Sequence, residues 1–359
     1  MIIKLDSSLI NYCKLKTNVP SHIHFFELFA EIKLRGFHFV LAERDLLQVL
    51  GNLEQLSQKT RSIYRKLFQN YTTEKSIENN IDFSLRISSH KSQRSENCSN
   101  IFIDELDVNS FLTRNKLLME NTADADIYYR ITDFYRKNNG MANIDFKWEP
   151  SNGGGSTTFT EYQRILNERL TFTYCIIDSD KKSPFSSIGK TALIFKKKPK
   201  NSAFGNHHVL EAHEMENLYP PSILLSMCSN NFNGLKKNYD IIEKMSRNKE
   251  CSSFLYLDLK NGLNVYSLSH MKDESREYWE NILNINKKIY NKCNCKDKQC
   301  KHFIIKPFGR KIGDNIIHFI NSINLIITEL LTDNYKILWQ LIGKILFDRF
   351  CCPKFTVAV

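Results

Sequence analysis

Apolar positions at the start of the chain, MIIKLD, predict a short strand, and the following SSLINY reads as helix. From about Ile23 to Tyr71 the spacing turns helical, with Leu46, Leu47, Leu50, Leu53 and Leu56 lying along one face and breaks expected near Gly36 and Gly51. Residues 72–100 become polar and end in SSHKSQRSENCSN, which predicts an exposed loop and a domain boundary before about residue 113.

After Ile101 short apolar runs alternate with helical segments. Leu117–Glu120 (LLME) reads as a strand and ADADIYYRITDFYRKNNG as the next helix, closed by Gly140. Asn143–Trp148 reads as a second strand leading into the loop SNGGGS, Thr160–Leu170 as a helix, and Phe172–Ile177 (FTYCII) as a third strand. Strands separated by helices of this length imply parallel pairing, so the expected fold class is α/β with a Rossmann-like, mainly parallel sheet. Tyr219–Asn248 is helical and polar, and Phe254–Leu259 (FLYLDL) is a further strand candidate. The tail holds a cysteine-rich segment at 293–302 and two amphipathic helices. The expected organisation is an N-terminal α/β or helical domain (1–112), a catalytic core (113–270) and a Cys-rich, helical C-terminal region (271–359).

Composition narrows the function classes. In 359 residues, 42% hydrophobic, a disordered or collagen-like chain is excluded. Fifty Lys and Arg against 39 Asp and Glu give +11, which suits an anionic partner, nucleic acid or membrane surface. The most apolar stretches, Ile316–Leu331 and Tyr335–Phe347, are interrupted by polar groups and fall short of the roughly 18 apolar residues of a membrane span. The opening residues lack the pattern of a signal peptide, and ten cysteines without secretory context read as reduced thiols, so a cytoplasmic location without membrane attachment is expected.

Acidic residues fall where an α/β sheet would gather them. Glu120 closes the first strand, with Asp124 four residues later; Asp178 and Asp180 close the FTYCII strand as D-S-D; Glu211, Glu214 and Glu216 lie in LEAHEMENLYP. Ligands in open α/β folds collect at the carboxyl ends of strands. Carboxylates crowded there repel one another unless a cation neutralises them, and Mg²⁺ binds through a few carboxylates plus water and phosphate oxygens. Two such ions about 4 Å apart activate water and stabilise the leaving oxygen of a phosphodiester.

Four segments in order resemble the Toprim domain shared by topoisomerases, primases and OLD-family nucleases, over roughly Arg114–Ser269. LLMENTADADIYYRI is similar to the family's strand–Glu–x–x–x–Asp opening, with Asn121 where glycine is common. SNGGGS resembles the glycine loop of OLD-like members, TYCIIDSDKK the strand with D-x-D, and HEMENLYP the R-E-I-E-N-Y-L segment, with His213 replacing the arginine. FLYLDLKNG would supply the late lysine, Lys260. The resemblance implies a nuclease using Mg²⁺ or Mn²⁺, held by Glu120, Asp124, Asp178, Asp180, Glu214 and Glu216, with Lys260 stabilising charge on phosphate. It also implies a stand-alone effector of bacterial antiphage defence, controlled by a separately encoded ATPase or other sensor, since the chain has no G-x-x-x-x-G-K-[ST] loop. The alternatives are a Toprim-like nucleic-acid-binding or regulatory protein without catalysis, and an interaction module.

Three weaker signals accompany the constellation. Cys293, Cys295, Cys300 and His302, spaced C-x-C-x4-C-x-H, suit a structural zinc, the alternative being reduced, unliganded thiols. MIIKLD with SSLINY faintly resembles the opening of PIN-like ribonucleases, which would use Asp6 with Glu43 or Asp45. The KKKPK run at Lys196–Lys200 could line a nucleic-acid channel or be a solvated loop.

Overall fold

A computed structural model describes the whole chain except residues 17–19, 96, 198–201, 231–235, 237, 248–250, 286–299, 324 and 355–359. The N-terminal part runs β1 (Ile2–Leu5), α1 (Leu9–Lys16), α2 (Pro20–Arg35), β2 (Phe39–Ala42), α3 (Arg44–Asn52), α4 (Gln58–Gln69), α5 (Tyr71–Lys75), β3 (Ser84–Ser88), β4 (Gln93–Arg94) and β5 (Cys98–Phe102). Its sheet has the order β2-β1-β3-β5-β4, parallel except for the last pair. The chain is therefore α/β from the start. The expected break at Gly36 leads into a fully buried strand, FVLA, and the expected polar loop contains two parallel strands. In β3 the buried Leu85 and Ile87 alternate with Ser84 and Arg86, so half of the strand reads as polar although it lies within the sheet.

The second sheet is built from β6 (Lys116–Met119), α6 (Ala125–Asn138), β7 (Ile144–Phe146), β8 (Glu149–Asn152), α7 (Thr158–Glu168), β9 (Thr173–Ile177), α8 (Lys190–Lys197) and β10 (Gly205–Val209). Four of these strands pair in parallel in the order β10-β9-β6-β8. The expected second strand is corrected. Ile144–Phe146 pairs antiparallel with a C-terminal strand, while the sheet takes the polar segment EPSN, whose Ser151 and Asn152 were expected in the loop. As an edge strand, β8 tolerates Pro150 and carries no apolar alternation to give it away.

The chain continues through α9 (Pro221–Ser229), α10 (Tyr239–Arg247), β11 (Leu263–Asn264), α11 (Val265–Ser269), α12 (Asp273–Leu283), β12 (Phe303–Ile305), α13 (Ile312–Ser322), α14 (Asp333–Phe350) and β13 (Cys351–Pro353), which is the partner of β7. FLYLDL is not a strand: residues 251–256 form a 3₁₀ turn, and the Phe254 and Leu257 carbonyls are taken by a side chain described below. Helix α14 packs on α6, with Trp339 edge-on to Phe134 at 5.6 Å. Gly343 permits the close crossing, because a methyl group there would meet Tyr135 Cβ at 2.5 Å. No described helix is long and apolar enough to cross a membrane.

His38, just before β2, is 1% exposed and its Nε2 donates to the Thr113 carbonyl at 3.0 Å. Burial, then the N-terminal ammonium, holds its pKa down from 6.5 to about 3. The unfolded chain takes up this proton first, so the neutral ring favours folding above pH 6.5 and that stability drains away as pH falls toward 3. His38→Gln, which cannot titrate, should move the acid-unfolding midpoint to lower pH in a circular-dichroism titration; an unmoved midpoint would discount this histidine.

Candidate active site

The sheet order makes β6 and β9 neighbours although β7 and β8 separate them in sequence, so the strand order reverses between them. A crevice forms outside the carboxyl ends of strands at such a switch point. Glu120 follows the last residue of β6, and Asp178 follows the last residue of β9. The two acidic segments expected from sequence thus face each other because of topology.

Glu120, Asp124, Asp178, Asp180, Glu214, Glu216 and Lys260 all line one cleft of about 250 Å³. Glu211, the remaining acid of the third group, points elsewhere and accepts from the Tyr256 hydroxyl at 3.3 Å. Asn121 and Asp124 form a capping box at the turn into α6, with Asn121 N–H donating to Asp124 Oδ2 at 3.2 Å. That turn fixes Asp124 at 8% exposure. The glycine loop folds over the end of β6: Gly153 N–H donates to Met119 O at 2.7 Å and Gly154 N–H to Glu120 O at 3.1 Å. Gly154 and Gly155 adopt φ of +71° and +64°, and a side chain on Gly155 would lie 4.0 Å from Glu120 Oε2.

The D-S-D segment is clamped from two sides. Ser179 Oγ donates to Ala212 O at 2.6 Å, and Asp180 N–H to His213 O at 2.9 Å. Gly189 N–H donates to Ser179 O at 2.7 Å. A methyl group on Gly189 would sit 1.9 Å from Asp180 Oδ2, so no other residue leaves the aspartate where it is.

Asn217, fully buried, organises the third group and was not singled out by the sequence. Its Oδ1 accepts from Glu214 N–H at 3.1 Å, and its Nδ2 donates to Phe254 O and Leu257 O, each at 2.9 Å. One side chain therefore ties the Glu214–Glu216 turn to the segment that carries Lys260. From outside, α14 grips the same turn, with Tyr335 Oη donating to Asn217 O at 3.0 Å and Trp339 Nε1 to Leu218 O at 2.8 Å.

The electrostatics are those of crowded anions. Burial, then Glu120, Asp124, Glu216 and Glu214, pushes Asp178 well above the usual carboxylate range. Asp124 is pushed up to about 7 by burial and then Glu216. Glu120 is raised by burial and Asp180, and Glu214 by burial and Glu216. Burial works against the Lys260 ammonium, but Glu216 and Glu214 outweigh it and raise its pKa; Nζ lies 3.0 Å from Glu216 and 3.3 Å from Glu214. Beside the cleft, Asp258 is held below its ordinary value: burial raises it, but hydrogen bonds from His213 and Asn261 prevail. Among the described residues, His213, Glu214 and Asp258 form a group of three whose donor atoms lie within 4.8 Å of one another. Of these three, Glu214 lines the cleft.

The cleft also contains residues from the C-terminal region that sequence reasoning passed over. Arg310, Lys311, Gly313 and Asp314 bring in the start of α13, with Gly313 packed against the Glu216 side chain. Neither Arg310 nor Lys311 has a carboxylate partner among the described residues. The signal was present in GRKIGD, a basic pair between glycines at the head of an amphipathic helix.

The weaker signals fare differently. Asp6 and Glu43 follow the paired ends of the neighbouring parallel strands β1 and β2; Asp6 faces Arg86 at 3.8 Å, Glu43 pairs with Lys4 at 3.1 Å and Lys75 at 3.6 Å, and Asp45 is exposed. Cys293 and Cys295 lie outside the described residues; Cys300 is buried, with Sγ 4.0 Å from His302 Nδ1. Of the KKKPK run, Lys196 and Lys197 end α8 and the rest lies outside the described residues.

Compared with models of known families, with curated proteins and with solved structures, the chain matches none.

Proposed function

We propose that this chain is a divalent-metal-dependent nuclease of Toprim type, hydrolysing phosphodiester bonds in nucleic acid. The observation that carries this reading is the convergence of Glu120, Asp124, Asp178, Asp180, Glu214, Glu216 and Lys260 on one cleft at the switch point between β6 and β9. The donor set fits hard cations such as Mg²⁺ or Mn²⁺: every acidic group offers oxygen, buried Glu216 Oε2 lacks a hydrogen-bond donor, and Glu214 Oε2 has the Lys260 ammonium at 3.3 Å. Glu120, Asp124, Asp178 and Asp180 would hold metal on one side, and Glu214 and Glu216 on the other. Bound there, the ions supply charge neutralisation and an activated water.

The chain's own residues do the rest. Lys260 reaches the cleft from a turn and is available to phosphate once other cations satisfy Glu214 and Glu216. Arg310 and Lys311, at the head of α13, bring positive charge to an otherwise acidic wall. We extend the proposal to a cytoplasmic, toxic effector of antiphage defence under the control of a separate ATPase or sensor.

The test is incubation of the purified protein with plasmid, single-stranded DNA and transfer RNA in Mn²⁺, Mg²⁺ or EDTA. Cleavage of at least one of them, abolished by EDTA, is expected. Binding that persists in EDTA with no cleavage of any nucleic acid would instead make it a binding protein.

A further inference from the structure

Lys260 and Arg310 belong to two cavities at once. On one side is the acidic cleft; on the other is a groove of about 780 Å³. The groove is three times the size of the cleft and differs in chemistry. Lys182, Lys260 and Arg310 line it against one carboxylate, Asp258, which His213 and Asn261 engage and which Lys182 approaches at 3.7 Å. Its remaining wall is largely apolar and aromatic.

Two of those aromatics are presented rather than buried. Phe303 is 38% exposed at the start of β12, opposite Asn264 of β11. Tyr266, two residues after Asn264, is half-buried and stacks on His270 with centroids 3.9 Å apart and planes 28° from parallel. The His270 ring is held in that stack by contacts from Nδ1 to Tyr266 O at 2.9 Å and Ser269 Oγ at 3.0 Å. The β11–β12 ladder holds Phe303, and Tyr266 sits on α11, which follows β11 directly; both line the groove, continuous with the cleft through Lys260.

We propose that this groove seats the unpaired bases of a single-stranded nucleic acid whose backbone runs into the acidic cleft. Cations tracking a backbone beside aromatic faces are how proteins hold single strands, because every base has a π-face and a duplex keeps its bases stacked on one another. The groove's volume lies in the range of sites that enclose organic ligands. Arg310, with no carboxylate partner among the described residues, stands at the junction where a phosphate would pass from groove to cleft. The inference rests on the reading of the cleft as a phosphodiester-hydrolysing site, and its test separates the two.

The full chain is titrated, in Ca²⁺ or EDTA, into fluorescein-labelled single-stranded DNA, single-stranded RNA and a duplex of equal length, and anisotropy is followed. Tighter binding of a single strand than of duplex is expected. Tyr266→Ala and Phe303→Ala should each weaken single-strand binding at least about fivefold with duplex binding unchanged, and Tyr266→Trp should restore it. Arg310→Glu, at an exposed position, provides a second measurement where an alanine variant fails to fold, and should weaken single-strand binding and flatten its salt dependence. Equal binding of duplex and single strands, with variants indistinguishable from the parent, overturns the groove assignment even if Mn²⁺-dependent cleavage proceeds. Conversely, aromatic-dependent single-strand binding without cleavage supports the groove and overturns the hydrolytic reading of the cleft.

Discussion

Replacing Asp178 by asparagine should lower Mn²⁺-dependent cleavage by about 10³-fold or more and, in the same protein, raise thermal stability in EDTA. Both effects have one cause. Asp178 sits between Glu120, Asp124, Glu214 and Glu216, and burial together with those neighbours drives its pKa well above the ordinary range. Asp124, Glu120 and Glu214 are raised as well, Asp124 to about 7. The folded protein therefore binds protons that the unfolded chain has released. In the absence of metal its stability falls as pH rises above the ordinary carboxylate range and through the raised folded values, the Asp124 share of this cost being present above about 7. Asparagine keeps the shape and removes one charge from the cluster. The melting temperature in EDTA at pH 8 should rise by on the order of a few °C, and the gain should shrink at pH 5. Mn²⁺ should stabilise the parent more than the variant, because a ligand that binds only the folded state stabilises it by mass action. A variant that cleaves like the parent, or one less stable at pH 8, would remove Asp178 from the metal site.

Lys260→Met should separate binding from chemistry. In the metal-free protein the ammonium is the counter-ion of Glu214 and Glu216, at 3.3 and 3.0 Å. A divalent ion entering that side competes with it. Removing the lysine should tighten Mn²⁺ about tenfold by calorimetry, a change of about 1.4 kcal/mol, while kcat falls on the order of 10²-fold because phosphate loses its cation. Breaking a buried pair costs about 3–5 kcal/mol; Lys260 is 30% exposed, so about 1–3 kcal/mol of destabilisation in EDTA is expected, recovered on adding Mn²⁺. Weaker Mn²⁺ binding would show instead that Lys260 organises the site, and unchanged kcat would remove it from the reaction.

The support of the site comes from regions that the expected three-part division set apart. Glu216 is held through Asn217, which binds the 254–257 segment, while Tyr335 and Trp339 of α14 bind the Asn217 and Leu218 carbonyls. Arg310 and Lys311 enter from the head of α13. The C-terminal helices were legible as amphipathic, but not what their apolar faces would cover. Hydrogen bonds to main-chain carbonyls leave no residue pattern at the accepting end.

Two of the strands buried on both faces were legible, while FVLA, equally buried, was hidden inside a stretch read as helical. LLM and TYCII are continuous apolar runs, and each announces its acidic end. EPSN and SLRIS were not, because an edge strand or a half-polar strand keeps water-compatible residues along its length. FLYLDL misled in the opposite sense: its apolar residues are buried, but its carbonyls serve Asn217 instead of a neighbouring strand.

By itself, then, the sequence determined the α/β class and the two strands that end at Glu120 and Asp178, and it nominated the seven residues, the carboxylates from strand ends and spacing and Lys260 from the family resemblance. Only the tertiary structure decided that those residues share one cleft, because parallel pairing joins strands that the chain separates by whole helices. It also decided that Lys260 meets Glu214 and Glu216 as a counter-ion, and that a basic helix head and an aromatic groove border the carboxylates. Such juxtapositions depend on how helices pack across a sheet, which residue spacing does not encode.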